Sequence, residues 1–172
     1  LYATAYFRNV KNLVNRVNKV YNDTILDRIY SNVGRGQSLG LELGAQANLN
    51  EKWSNFIGLN IYNLDIYGDF VYEENDTTFS EEIDNNAIQY SVNLNSTYQF
   101  NKSTSLQFTL NYLSERATAQ GEDSRFYSPN LSFRKTFLEN RLIATLQWQN
   151  IDLGLLETNE QRITTAKQGS FF

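Results

Sequence analysis

Few side chains in this 172-residue chain are suited to catalysis or to tight metal binding. His, Cys and Met are absent, which removes the imidazole base, the thiolate nucleophile, disulfides and most ligands of transition metals. Gly34, Gly36 and Gly40 resemble a dinucleotide fingerprint, but the spacing is one residue too long and a strand follows instead of a helix. We therefore expect no enzyme activity and no cofactor, and we interpret the glycines as positions of close approach.

One acidic segment has the oxygen ligands that a hard cation prefers. Its carboxylates are Asp69, Glu73, Glu74, Asp76, Glu81, Glu82 and Asp84. The spacing is not that of an EF-hand, and runs of like charge are typical of solvated segments. We therefore expect a loop that binds no metal.

Six residues are candidates for contact with a ligand or a partner: Glu42, Tyr72, Phe79, Arg125, Phe126 and Tyr127. Glu42 is the single ionisable residue on its face of the segment 31–48, so it suits either a contact with a solute or a plug, or an ion pair with Arg134 or another cation of the lumen. The other five lie in two polar segments. They suit either a rim that recognises a ligand or an aromatic belt where a membrane meets water.

The elements that would position these residues are strands with a period of two. In residues 89–100, Tyr90, Val92 and Leu94 alternate with carboxamide and hydroxyl side chains. One face is apolar and the other is polar without charge, which is typical of a membrane barrel strand between lipid and a watery lumen. Similar alternation occurs in residues 1–14, 31–48, 106–112, 128–136 and 142–149.

The segment 54–67 changes phase, because the apolar side chains are odd-numbered up to Ile61 and even-numbered from Tyr62. A β-bulge near these two residues would restore the outward register, so we expect one there.

The connections between these strands alternate in length. We expect short turns at residues 50–52, 101–103 and 137–140, and long polar connections at residues 15–28, 68–86, 114–127 and 152–169. Outer-membrane barrels have this asymmetry, with short periplasmic turns and long surface loops. Three of the strands carry no charged residue on the outward face, where a Lys or Arg near the midplane costs about 2–4 kcal/mol, and in the segment 31–48 the single one, Arg35, lies toward the end.

These patterns predict an all-β fold, an antiparallel transmembrane β-barrel segment of about seven to eight strands in the cell outer membrane. Residues 1–172 would form a single region of barrel wall. The mean hydropathy of -0.50 fits, because only alternate residues of such strands meet lipid. The pI near 4.9 argues against nucleic acid as a partner.

Several short motifs support a family resemblance. They are Asn32-Val33-Gly34, Gly40-Leu41-Glu42-Leu43, the turn before Trp53, Thr118-Ala119-Gln120-Gly121, and Arg134-Lys135-Thr136-Phe137-Leu138 followed by Arg141-Leu142. In order and spacing they resemble the C-terminal barrel region of TonB-dependent receptors of Bacteroidota. The resemblance implies a plug domain inside a barrel of about 22 strands, the size class that is plugged. It also implies outer-membrane lipid and TonB as partners, and we expect the plug and its TonB-contacting segment outside these residues.

Three functions are therefore open. The first is part of a TonB-dependent transporter or receptor that imports a nutrient across the outer membrane. The second is a barrel that acts as a structural scaffold in a surface or secretion assembly, with a surface lipoprotein as a candidate partner. The third is a soluble β-sandwich binding module, which would bury Val92, Leu110 and Leu146 together in an enclosed core.

Overall fold

The computed structural model describes residues 1–22, 25–74, 77–139, 141–152, 154, 161–165 and 169–171. The strands in chain order are β1 (Tyr2–Lys11), β2 (Val14–Asn22), β3 (Ile25–Asn32), β4 (Arg35–Asn50), β5 (Trp53–Glu74), β6 (Thr77–Asn101), β7 (Thr104–Leu113), β8 (Arg116–Thr118), β9 (Gly121–Asp123), β10 (Phe126–Phe137), β11 (Leu142–Trp148), β12 (Gln161–Thr165) and β13 (Gly169–Phe171). Within these residues no helix is long and apolar enough to cross a membrane.

Seven strands form the main sheet, in the order β1-β4-β5-β6-β7-β10-β11, and every neighbouring pair is antiparallel. Each long strand pairs with the next long strand of the chain, as the sequence predicts. The sheet is open, because β1 and β11 form its two edges. Near the end of the chain, β13 pairs with β12 and not with the main sheet.

The two faces of the main sheet differ in chemistry, because directly paired residues of an antiparallel sheet lie on the same face. One register row of the outer face is Leu43, Leu59, Val92, Tyr112 and Tyr127. The adjacent row of the lumen face is Gly44, Gly58, Asn93, Asn111 and Ser128. The predicted alternation of apolar and polar faces is therefore confirmed across five neighbouring strands.

The outer face is not an enclosed core. Leu146 is 74% exposed, and neither Val92 nor Leu110 belongs to the buried cluster. The arrangement that a soluble β-sandwich requires is therefore absent from the described residues.

The enclosed core lies instead at the end of the sheet that carries the long connections. Its members are Val17, Val33, Ile66, Phe70, Ile83 and Ala119, each at most 6% exposed. They come from β2, from the turn before β4, from β5 and β6, and from the turn between β8 and β9. This core joins the surface hairpins to the lumen side of the sheet.

The predicted β-bulge near Ile61 and Tyr62 is wrong. The pairing of β5 with β6 is continuous from Trp53 to Glu74, so Tyr62, Leu64 and Ile66 lie on the lumen face together with Asn60. Ile66 is 2% exposed there because it enters the buried core. The apolar pattern changes phase because the face that needs apolar residues changes from the outside to the inside.

The segment 68–86 also differs from the prediction of a loop. β5 has 22 residues and β6 has 25, and together they extend the sheet as one long hairpin beyond the other strands. The predicted connection at residues 15–28 lies within the antiparallel pair of β2 and β3, and the connection 114–127 contains the short β8–β9 pair.

The short turns lie where the sequence predicts them. Asn50 Oδ1 accepts a hydrogen bond from the Lys52 N–H at 2.9 Å, and Asn101 Oδ1 accepts one from the Ser103 N–H at 2.9 Å. This side-chain bond two residues ahead is the Asx-turn geometry that favours asparagine at such positions. Both turns lie at the end of the sheet opposite the buried core.

Candidate functional site

Two aromatic groups bound the apolar band of the outer face. The rings of Tyr90 and Tyr112 stack with centroids 5.7 Å apart, and Trp53 meets Tyr98 edge-on at 6.2 Å. Tyr90 and Tyr98 are eight residues apart on β6, or about 26 Å along the strand and about 20 Å across a membrane after a tilt of about 40°. Transmembrane barrels have an apolar band of about 25 Å between two such aromatic girdles.

Glu42 projects from β4 into the lumen, in register with Thr4 and Asn60, and it is exposed. Arg134 lies on β10, four strands away across the sheet. Neighbouring strands are about 4.8 Å apart, and the register row of Glu42 meets β10 at Phe126, eight residues from Arg134, so the two residues are too far apart for an ion pair. Contact of Glu42 with a solute or a plug stays a prediction.

A cavity of about 330 Å³ lies on the lumen face where β1, β4 and β5 meet the surface hairpins. We call it the lumen cleft, and its lining is Tyr6, Arg8, Val10, Leu13, Asn15, Gly36, Ser38, Asn60, Tyr62, Leu64, Ile66 and Ala117. The Tyr6 hydroxyl donates to Asn60 Oδ1 at 3.0 Å, and the Tyr62 hydroxyl donates to Gln89 Oε1 at 2.9 Å. The two rings are thereby fixed in orientation at the wall of the cleft.

Glycine on β4 makes room for these tyrosines. A Cβ atom at Gly40 would lie 2.5 Å from Tyr6 Cζ and 2.7 Å from Tyr62 Cβ. At Gly44, a Cβ would overlap the ring of Tyr2. Close approach is confirmed at Gly40, where aromatic side chains occupy the space of a β-carbon, and at Gly34, where a Cβ would lie 2.5 Å from the Tyr67 carbonyl oxygen.

A second groove, of about 210 Å³, lies on the lumen face of β7, β10 and β11. Its lining is Gln107, Thr109, Asn130, Leu131, Ser132, Gln147 and Gln149, without a charged side chain. Asn130 Nδ2 donates to Thr109 Oγ1 at 3.2 Å, and Gln107 Nε2 donates to Asn95 Oδ1 at 3.1 Å. This part of the wall presents a polar, uncharged surface to the lumen.

The hairpins β2–β3 and β8–β9 join the outer ends of β5 and β6 in one unit, which we call the surface cap. Gln120 is its central polar residue, at 4% exposure. Gln120 Oε1 accepts the Asn18 N–H at 2.6 Å, and its Nε2 donates to the Asn18 carbonyl at 3.0 Å and to Glu81 Oε2 at 3.1 Å. One side chain thus connects three separate segments of the chain.

Further polar contacts hold the cap together. Asn85 Nδ2 donates to the carbonyl oxygens of Thr118 and Gly121, at 2.9 and 2.8 Å. Arg16 and Arg116 lie 3.6 and 3.5 Å from the Asp123 carboxylate. In the sequence, Gln120 stands out only as part of the motif Thr118-Ala119-Gln120-Gly121, and the Gln-Gly pair at the tip of a short polar hairpin is the local signal for its role.

The three neighbours Arg125, Phe126 and Tyr127 separate in space. Arg125 Nη2 lies 2.8 Å from Glu115 Oε1, and this hydrogen bond raises the pKa of the guanidinium group. Phe126 pairs with Leu113 on the lumen face, while Tyr127 lies on the outer face beside Tyr112 and donates to Asp152 Oδ1 at 3.1 Å. Tyr127 therefore has the position that a girdle residue requires, and Phe126 has that of a lumen contact.

Tyr72 and Phe79 face each other across the β5–β6 hairpin by backbone pairing. Their side chains lie outside the described part of the structure, so contact with a ligand stays a prediction for both. No group of three or more acidic side chains that could hold a metal ion occurs among the described residues.

The geometry of an open antiparallel wall, apolar outside and polar inside, agrees with the comparison with known protein families. A model of the outer membrane protein beta-barrel family matches residues 1–172. Neither a curated protein nor a solved structure matches the chain. The match spans all 172 residues and implies a position in the cell outer membrane. The chain therefore belongs to the outer membrane protein beta-barrel family.

Proposed function

We propose that the chain forms part of the wall of a TonB-dependent outer-membrane transporter that imports a nutrient and performs no chemistry on it. The observation that carries the proposal is an open wall whose polar lumen face holds a cleft under a packed surface cap. A wall of this form suits a wide barrel with a solute path along its inner surface.

The open edges support a wide barrel. In lipid, unpaired backbone N–H and C=O groups cost several kcal/mol each, so further strands must pair with β1 and β11. Seven strands are about a third of a barrel of about 22, the size class whose lumen is filled by a plug. We propose that this barrel belongs to a receptor of Bacteroidota whose own plug fills the lumen and whose TonB contact drives its release.

The test uses the full-length protein in its own membrane. Deletion of the plug segment that contacts TonB abolishes nutrient uptake if the proposal is right, and unchanged uptake contradicts it. Protease cleavage of the β2–β3 hairpin on intact cells serves as the control, because it reports that the barrel is still assembled and surface-exposed.

A scaffold function is the second candidate, and the surface cap favours it. The cap has its own buried core and a set of ion pairs and hydrogen bonds, so it is a preformed surface that suits a surface lipoprotein. Purification of a stoichiometric partner bound over the cap, from cells in which the TonB contact is dispensable, would favour the scaffold over the transporter.

A further inference from the structure

We propose that the lumen cleft binds a small amphipathic anion, with a carboxylate at Arg8 and an apolar body against Leu13, Leu64 and Ile66. The site would serve the proposed importer, so its physiological role rests on that function. Binding can be measured without uptake, so a failure of the binding site can be distinguished from a failure of the proposed importer function.

The charge of the cleft favours an anion. Arg8 is the single charged side chain among the twelve lining residues. Within the described part of the chain, the ion pairs of the other nearby arginines use Asp123 and Glu115, and none includes Arg8. Glu42 shares the lumen face of β4 but lies four residues from Ser38, the register partner of Arg8, or about 13 Å along the strand.

The neutral polar groups of the cleft also favour an anion. Asn60 Oδ1 accepts the Tyr6 hydroxyl, and Asn15 Oδ1 accepts the Arg16 N–H. Each amide oxygen thus already accepts one hydrogen bond, whereas neither amide nitrogen donates one within the described residues, so both are donors that a ligand can use. With the Ser38 hydroxyl, the cleft offers several hydrogen-bond donors to a carboxylate beside a guanidinium, the side chain best suited to bidentate carboxylate recognition.

The remaining wall is apolar. Leu13 and Leu64 pack against the core of the surface cap, and Ile66 belongs to that core. Most small-molecule sites are clefts of about 300–1,000 Å³ with an apolar lining and few directed polar groups, so a cleft of about 330 Å³ suits a compact ligand. An acid group with a single ring or a short branched chain fits this combination.

The cleft also touches the cap, because Asn15 lies on β2 and Ala117 lies on β8. A bound ligand would therefore contact the barrel wall and the surface hairpins at once. This arrangement places the ligand at the surface end of the lumen, on the path from outside.

The experiment measures binding of 4-fluorobenzoate to the full-length protein in nanodiscs by fluorine NMR line broadening, with neutral 4-fluorobenzamide as the matched probe. We expect broadening with the benzoate and little with the amide. Arg8→Gln should weaken benzoate binding about tenfold, the usual scale for loss of one charge-assisted hydrogen bond. Arg8→Lys should retain part of the binding, because it keeps the charge without the planar fork.

Arg134→Gln is the control variant, since Arg134 is a lumen arginine of β10 outside the cleft. It should bind the benzoate as the unchanged protein does. Three results would overturn the proposal: equal binding of the neutral probe, unchanged binding in Arg8→Gln, or benzoate binding that appears only after removal of the plug. The last result would show that the plug, and not a small ligand, occupies the cleft.

Discussion

The strands β5 and β6 carry their apolar side chains on opposite faces in their two halves. In the half next to the short turns, which we call the lower half, Leu59 and Val92 face outward and Asn93 faces the lumen. In the half that belongs to the surface cap, which we call the upper half, Phe70 and Ile83 face inward and are buried. Val71 on the outer face is 56% exposed. The backbone pairing is continuous through the change, so the difference lies in the side chains alone.

The surroundings of each half account for the difference. Lipid surrounds the lower half, so apolar side chains are favoured outside and the inner face can remain polar toward the lumen. Water surrounds the upper half, so apolar side chains are favoured only where hairpins cover them on the inside. The lower half thus depends on the membrane for its stability, whereas the surface cap depends on its own core.

The largest effect that separates the two halves is expected at Phe70. Phe70→Ala leaves a cavity in the cap core and should destabilise the cap by about 3–5 kcal/mol. Hydrogen exchange of the cap amides in the folded barrel measures this, and the amides of the lower half should keep their protection. Val71→Ala is the matched control on the exposed face and should change cap protection little. Equal effects of the two variants would contradict a core on the lumen side.

A charged residue in the lower half tests whether its outer face meets lipid and its inner face meets water. Leu94→Arg places a guanidinium against lipid midway between Tyr90 and Tyr98 and should cost about 2–4 kcal/mol, while Asn93→Arg on the lumen face should cost less than about 1 kcal/mol. Equilibrium unfolding in lipid vesicles gives both values. If Asn93→Arg were the more damaging variant, the faces would be assigned the wrong way round.

Close packing at the boundary between the halves is tested by Gly40→Ala. The new methyl group overlaps Tyr6 and Tyr62, so we expect a loss of about 1–3 kcal/mol and a displaced Tyr6. Gly58→Ala is the control, because the nearest atom to its new Cβ is 3.4 Å away. The same vesicle unfolding assay applies, and similar losses in the two variants would argue against ring packing over Gly40.

The smallest expected effect is that of Gln120→Ala. It leaves the buried N–H and C=O of Asn18 without their side-chain partner, at a cost of about 1–2 kcal/mol to the cap. Limited proteolysis of the β8–β9 hairpin should become faster, while Gln46→Ala on the exposed lumen face should leave it unchanged. Unaltered cleavage in Gln120→Ala would show that the apolar core alone holds the cap.

The alternation of side chains made the main sheet predictable, because each strand of a membrane barrel meets two different media along its whole length. It did not predict the fate of Tyr62, Leu64 and Ile66. A change of phase signals either a bulge or a change in which face is buried, and only the position of the hairpins decides between them. Local pattern carries no information on that position.

The polar contacts of the cap could not be predicted from the sequence, because they join residues that are far apart in the chain. Gln120 and Asn18 are 102 residues apart, and an asparagine-rich chain offers many other carboxamide pairs. The Glu42–Arg134 ion pair looked reasonable from charge alone. It fails because β4 and β10 are not neighbours in the sheet.

The central claim is that one face of the main sheet meets lipid and the other meets a watery lumen. This chain has no cysteine, so single cysteines at residues 89–95 of β6 can each carry a nitroxide label in the full-length protein, after replacement of any cysteine elsewhere. Power saturation then compares collisions with oxygen and with a polar nickel chelate. We predict a period of two, with residues 90, 92 and 94 open to oxygen and residues 91 and 93 to the chelate. Equal accessibility at all seven positions, or the reverse phase, would contradict the account.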